Sequence, residues 1–383
     1  MERILFVSNG HGESAIAERI GSEVRSLARG PVQLDHLPLV GSGLGEHALR
    51  VVGPHRAMPS GGLVAMGNVR ALVTDLRAGF VGLLGEQMRF LRGAGASHEC
   101  AVVVGDAYAL ALTFLSGLPV AFVGTAKSVY VAPYGPFERT LLRRARRVFV
   151  RDRPTAQSLR AARVAAESPG NVIVDLLDGN GLAPPPGNWL GILPGSREHA
   201  YPDAVRLTRV VRALSLRHGP VDALLSVAPT VDAARMVRSL AGDGWEAHQP
   251  PYAGAFEVRS GLARVLGWSG SLAAMLRACR LVLGQAGTAN EQAAACGLPV
   301  VTLESVRPEP ALAGGDGWYR MRQRRLLGDA LATVPADPDA AAEIVAGILA
   351  DRSQYARMQA AGRERMGGPG GAAAIAQAVL EMA

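Results

Sequence analysis

Eight short apolar runs alternate with longer stretches of helical pattern along this chain, and that alternation leaves few folds open. The runs cover residues 4–7, 101–104, 120–123, 148–150, 190–193, 223–227, 281–283 and 300–303. Residues 15–27, 72–91, 204–218 and 272–277 carry helical patterning between them. Runs that are apolar throughout, rather than alternating with polar residues, predict strands covered by helices on both faces. That is the pattern of parallel, doubly wound α/β sheets.

The chain has 383 residues, enough for two sizeable cores. Hydrophobic residues make up 49% and charged residues 19%, a globular balance that excludes a disordered chain. The clearest boundary is Gly181-Leu182-Ala183-Pro184-Pro185-Pro186-Gly187-Asn188. Three successive prolines join neither a helix nor a central strand and make a stiff linker. The expected domains are therefore residues 1–182 and 188–383, each Rossmann-like, facing a central cleft. The last helix is expected to pack back on the first domain.

Each half opens with strand, Gly-rich turn and helix. The first is Phe6-Val7-Ser8-Asn9-Gly10-His11-Gly12 and the second Ile192-Leu193-Pro194-Gly195-Ser196-Arg197. A turn of this kind offers free backbone N–H groups, a hydroxyl and a guanidinium to one anion. A further turn, Gly284-Gln285-Ala286-Gly287-Thr288-Ala289-Asn290-Glu291, also follows an apolar run. Two such turns in one half suggest a nucleotide held from two sides. Each turn is open to a purely structural role. Arg197 has Glu198 and Asp203 nearby as possible ion-pair partners. Thr288 with Glu291 three residues on is a legitimate capping box.

The net charge is +7, and of 40 basic residues only Lys127 is lysine. A lone lysine suits a mobile point charge, or survives by chance on a surface turn. The densest basic run is Arg139, Arg143, Arg144, Arg146, Arg147, Arg151 and Arg153. With 5% aromatic residues and no interleaving, it fits a solvated helix face before anionic membrane contact, and both before nucleic acid. Cys100, Cys279 and Cys296 have neither metal-type nor disulfide-type spacing. No apolar run reaches the length of a membrane span. The first residues read as a strand of a cytosolic fold rather than a signal peptide.

Several motifs, in order, resemble the GT-B class of nucleotide-sugar glycosyltransferases, and in particular lipid-A-disaccharide synthase and its relatives. Leu193-Pro194-Gly195-Ser196-Arg197 matches that family residue for residue. Val104-Gly105-Asp106 resembles its strand ending in a catalytic-site aspartate. Tyr130-Val131-Ala132-Pro133 resembles its Tyr-Val-Ser-Pro, and Gly170-Asn171-Val172-Ile173-Val174-Asp175 its Gly-His-Pro-Leu-hydrophobic-Asp stretch. Gly287-Thr288-Ala289 and Gly297-Leu298-Pro299-Val300-Val301 resemble its last loop frame, which is also similar to that of the transferase making lipid II. Met66-Gly67 with the helix after it resembles its membrane-proximal segment. The chain departs where the family's N-terminal motif survives only as Gly12-Glu13-Ser14. Its Trp-rich stretch is missing, and Glu291 stands one place early, with Gln292 in the acidic position.

The resemblance implies transfer of a sugar, with inversion, from a nucleotide-diphosphate donor, UDP-linked, to a lipid-linked acceptor. The donor would be a co-substrate, and neither cofactor nor metal is expected. Donor-binding candidates are Gly195, Ser196, Arg197, Gln285, Gly287, Thr288, Asn290, Glu291 and Gln292, with Leu266-Gly267-Trp268 near the base. Inverting transfer needs a base for the acceptor hydroxyl and positive groups for the departing diphosphate. The base is expected to be Asp106 or His11, with Glu13 a third candidate, and Asp106 is equally placed to cap a helix. Asn9 and Lys127 are the acceptor-binding candidates. Asp337-Pro338-Asp339 fits a helix cap better than a metal site. Residues 63–91 carry apolar residues with Arg70, Arg77, Arg89 and Arg92 between, as a packed amphipathic helix or a membrane-docking face would. The expected place is the cytoplasm, peripheral on the inner face of the cytoplasmic membrane, without nucleic acid. The alternatives are an epimerase of the same fold acting on UDP-sugars and a catalytically silent nucleotide-binding protein.

Overall fold

The computed structural model describes residues 2–41, 48–56, 79–177, 182–250, 256–304 and 316–383. The chain divides into two compact units. The first takes in residues up to Leu176 together with Gly367–Ala383, and the second the described residues from Leu177 to Met366.

The first unit runs β1 (Glu2–Asn9), α1 (His11–Leu27), β2 (Val32–Val40), β3 (Arg50–Val51), α2 (Phe80–Ala94), β4 (Cys100–Gly105), α3 (Ala107–Thr113), β5 (Val120–Gly124), α4 (Pro136–Leu142), β6 (Arg147–Val150), α5 (Arg153–Ala161), β7 (Ala166–Glu167) and α6 (Val172–Asp175). Its strands lie in the order β3-β2-β1-β4-β5-β6-β7, and every pairing is parallel. Alternate residues of β1 and β4 feed opposite cores. Ile4, Phe6, Val102 and Val104 pack with Ile16, Ile20 and Val24 of α1. Leu5, Val7, Ala101 and Val103 pack with Leu91, Leu110 and Phe122 on the other face. Burial on both faces is why these runs are apolar throughout.

The second unit runs β8 (Trp189–Leu193), α7 (Ala200–His218), β9 (Val221–Ser226), α8 (Ala233–Ala241), β10 (Glu246–His248), β11 (Phe256–Ser260), β12 (Ala263–Trp268), α9 (Leu272–Ala278), β13 (Cys279–Gly284), α10 (Thr288–Ala295), β14 (Val300–Leu303), α11 (Asp316–Leu327), β15 (Leu331–Val334), α12 (Pro338–Ala350) and α13 (Arg352–Met366). The order is β10-β11-β12-β9-β8-β13-β14-β15. The sequence pattern predicts a parallel sheet, and most of it is, but one edge departs. Strands β10, β11 and β12 pair antiparallel at one edge. Ser260 faces Ala263 across a two-residue turn whose first residue, Gly261, has φ +57°. Glycine at that place is the usual solution for a tight hairpin.

The last helix, α14 (Gly371–Leu380), belongs to the first unit and packs on α1. A clasp holds it there. The buried carboxylate of Asp175 accepts the N–H groups of Gly370 at 2.6 Å and Ala372 at 2.7 Å. Asn171 N donates to Gly368 O at 2.9 Å. Gly170 and Gly371 touch backbone to backbone: a Cβ on Gly170 would lie 2.6 Å from Gly371 N. The Gly170–Asp175 motif therefore anchors the end of the chain.

Asp175→Ala is expected to cost about 2–4 kcal/mol, because two N–H groups lose a buried charged acceptor. A fall of several degrees in the thermal midpoint checks this, and an unchanged midpoint would contradict the clasp.

Candidate active site

Both sheets reverse their direction of winding beside their first strand. The chain leaves β1 for β2 on one side and returns at β4 on the other. It leaves β8 for β9 on one side and returns at β13 on the other. Right-handed crossovers carry the connections at such a point away from each other and open a crevice beyond the carboxyl ends of the strands. Three of the predicted loops follow β1, β8 and β13, and Asp106 follows β4.

In the first unit, Asn9 and Asp106 face each other across the reversal. Asn9 Nδ2 donates to Asp106 Oδ2 at 3.1 Å. Asp106 also caps α3, its Oδ1 accepting from Tyr108 N at 3.1 Å and Ala109 N at 3.0 Å. Glu13, in the first turn of α1, comes to the same place. A Cβ on Gly105 would lie 3.4 Å from Asn9 Cβ and 3.7 Å from Glu13 Cγ. Burial pushes the Glu13 carboxyl above its ordinary value, its own N–H offsets part of this, and the charge of Asp106 adds to the rise. His11 opens α1 directly after Gly10, whose φ is +136°.

A buried polar chain supports this loop. His36 Nε2 lies 2.8 Å from Ser8 Oγ, and Ser8 Oγ lies 3.0 Å from Ser14 Oγ. Ser14 Oγ donates to Gly10 O at 2.9 Å. Burial, with a smaller contribution from His55, lowers the His36 pKa to about 4. Lys127 is not the free point charge its loop position suggests. Its Nζ lies 2.7 Å from Glu138 Oε2 and 5.6 Å from the Tyr134 ring centroid.

In the second unit, Gly195 has φ +111° with open space where a Cβ would stand, so backbone strain alone demands glycine there. The loop then exposes Ser196, Arg197, Glu198 and His199 before α7 begins. The two candidate partners of Arg197 are taken. Glu198 pairs with Arg235 at 2.6 Å and Asp203 with Arg206 at 3.2 Å. Among the described residues Arg197 has no carboxylate partner.

The second loop is stitched to the first strand of its sheet. The N–H groups of Gln285 and Ala286 both donate to Leu193 O, at 2.9 and 3.1 Å. Its exposed residues are Gly287 and Thr288. The other candidates point inward. Gln285 bonds Leu303 O and Thr302 Oγ1 through its side chain. Asn290 is fully buried, donating to Gly284 O and to Gln323 Oε1, each at 3.2 Å. Glu291 is buried, with Arg322 Nη1 at 3.3 Å, and Gln292 is buried as well. The Thr288–Glu291 capping box does not form, because the helix is capped one residue earlier, at Gly287, without a side-chain bond. Sequence reasoning missed Gln323, whose Nε2 donates to Ala286 O at 2.9 Å and Gly287 O at 2.7 Å. It missed Arg322 for the same reason: both lie on α11, which starts well beyond the nearest apolar run, 300–303, and so does not open on a strand-end turn.

Other expectations need correction. Leu266-Gly267-Trp268 ends β12 with Leu266 and Trp268 buried, and Trp268 Nε1 donates to Ser271 O, so this stretch is not an open wall for a base. Arg151 of the basic run is buried rather than on a solvated face. Of the amphipathic stretch, residues 63–78 lie outside the described set. In α2, Leu83, Leu84, Met88, Phe90 and Leu91 face the protein, and Val81 is the large apolar residue left exposed. Asp337 caps α12 through Ala340 N. Among the described residues no three His, Cys, Asp or Glu cluster as a metal site would, and no helix is long and apolar enough to cross a membrane.

The two doubly wound units, each with its loops at a reversal of strand order, make this a GT-B fold. No protein-family model matches the chain, and no curated protein matches it in sequence. Solved structures do match in fold. A putative UDP-N-acetylglucosamine 2-epimerase from Listeria monocytogenes is 12% identical with a TM-score of 0.61, covering 99% of this chain and 95% of its own. MurG of Acinetobacter baumannii is 12% identical with a TM-score of 0.58, over 100% of both chains. Phytolacca americana UGT2, solved with UDP-2-fluoro-glucose and pterostilbene, is 10% identical with a TM-score of 0.57, over 99% of both.

Unfolded, His36 takes a proton near pH 6.5; folded, it resists until about pH 4. Between those values the extra proton favours the unfolded chain, so stability falls as pH drops through that window. His36→Gln is expected to flatten the slope. Urea midpoints between pH 7 and 4 check this, and equal slopes in both proteins would contradict it.

Proposed function

We propose that this protein is a glycosyltransferase that moves a sugar, with inversion, from a UDP-linked donor to a lipid-linked acceptor. The observation that carries the reading is the exposed, uncompensated Arg197. It stands on a glycine-demanding loop at the reversal of the second sheet, beside the open N-terminus of α10. Backbone N–H groups and a guanidinium converging on one crevice are what a diphosphate needs, as ground-state partner and as leaving group. The UDP-sugar held by UGT2, in the same fold, supports that donor class.

In the proposed reaction the second unit holds the donor and the first holds the acceptor. Gly195, Ser196 and Arg197 meet the diphosphate, with Gly287 and Thr288 on the other wall. Gln285, Asn290, Glu291 and Gln292 act from beneath by fixing that wall. Glu13 is the favoured base. Its carboxyl is half-buried with a raised pKa, whereas both oxygens of Asp106 already accept hydrogen bonds. Asp106 then positions Asn9 and raises Glu13, and His11 binds acceptor from the same loop. No step calls for a metal. The lipid-linked acceptor rests on the resemblance to lipid-A-disaccharide synthase, and exposed Phe137 and Val81 on the first unit are consistent with docking at a membrane face.

An epimerase acting on UDP-N-acetylglucosamine is the second reading, favoured by the match to the Listeria monocytogenes protein over nearly the whole chain. Product analysis separates the two: an epimerase returns a UDP-sugar with no acceptor present, and a transferase releases UDP only when acceptor is supplied.

Calorimetric titration of UDP is expected to give micromolar binding, weakened roughly 10- to 100-fold by Arg197→Ala. A folded wild type that binds no nucleotide diphosphate would sink the donor site. Glu13→Gln is expected to lower kcat by about 10²- to 10⁴-fold with donor affinity kept. Full turnover in that variant would remove Glu13 from the role.

A further inference from the structure

A second guanidinium in the same unit has, among the described residues, no carboxylate within ion-pair distance. Arg320, on α11, is half-buried, and its Nη1 donates to the carbonyl of Leu303, the last residue of β14, at 3.0 Å. That carbonyl also accepts Gln285 Nε2 at 3.2 Å, so Arg320 is fastened to the loop after β13 through a shared acceptor. Burial raises the Asp203 carboxyl, in the first turn of α7, and the charges of Arg206 and Arg320 offset part of this. Asp203 already pairs with Arg206. Arg320 therefore stands at the carboxyl end of β14, fastened to the loop after β13 through the carbonyl it shares with Gln285.

Two of the other arginines on α11, Arg322 and Arg324, are compensated. Arg322 has Glu291 at 3.3 Å, and Arg324 has Thr333 Oγ1 at 2.9 Å and Glu304 at 3.8 Å. Among the described residues Arg320 bonds one carbonyl and has no carboxylate within ion-pair distance. A guanidinium carries five N–H donors, so one held by a single carbonyl keeps donors for an arriving anion.

We infer that Arg320 receives a second anionic group of the donor, on the β14 side of the crevice, while Arg197 receives the first on the β8 side. The inference rests on the donor-site reading above. The group is an oxyanion of either source: the other phosphate of the diphosphate, or a carboxylate on the sugar.

The test is calorimetry of UMP, UDP, UDP-glucose and UDP-glucuronate with wild type, Arg320→Met and, as control on the same helix, Arg324→Met. Arg320→Met is expected to fold with a thermal midpoint close to that of wild type in the absence of ligand. It should leave UMP nearly unaffected and weaken ligands bearing the second anion by roughly 10- to 100-fold. A loss already seen with UDP assigns Arg320 to the phosphate. A loss confined to UDP-glucuronate assigns it to the sugar carboxylate. Equal affinities in wild type and Arg320→Met for all four ligands, or an equal loss in Arg324→Met, overturn the inference while leaving the donor site in place. A wild type that binds none of the four overturns the donor-site reading itself.

Discussion

The reversal of winding beside β1 and beside β8 is the constraint on which the rest depends. Right-handed crossovers send the connections on the two sides of such a strand apart. The carboxyl ends there are left uncovered, and the chain must turn sharply into helices whose first N–H groups have no partners within the helix. Gly10 and Gly195 take positive φ at these turns, and Asn9, Asp106, Arg197 and Gly287 gather around them. The chemistry collects where the topology leaves room for it.

Holding such loops open has a cost that the sites display. Asn9 Oδ1, His36 Nδ1 and Asn290 Oδ1 are buried polar atoms without a partner among the described residues, and each lies in or beneath a loop of the proposed site. An unfilled buried polar atom costs about 1–3 kcal/mol. Around them, Ser8, Ser14 and Gln323 tie loop carbonyls to the core. The pattern fits loops stiffened before ligand arrives rather than shaped by it, which lowers the ordering cost of binding.

The strands at the centre of both sheets were legible because burial on both faces makes them apolar throughout, as in residues 4–7 and 101–104. The outer strands were not. Strand β2 carries Asp35 and His36 among its apolar residues, and β10 is exposed along its length, so neither shows an apolar run. The loops of the site were legible from glycine beside polar residues after a strand. What sequence could not tell was which side chains face the crevice and which hold it up. Asn290, Glu291 and Gln285 have the chemistry of ligand-binding residues, but α10 turns the first two inward and Leu303 and Thr302 hold the third. Arg320 and Gln323 went unseen because their role depends on α11 folding back over the loop after β13.

The most direct test of the account is a crystal structure with UDP bound. The diphosphate is expected at the carboxyl ends of β8 and β13, within hydrogen-bond distance of the Arg197 guanidinium and of backbone N–H groups in residues 195–197 or 287–288. A nucleotide bound elsewhere, or bound there with Arg197 turned away to solvent, would contradict it.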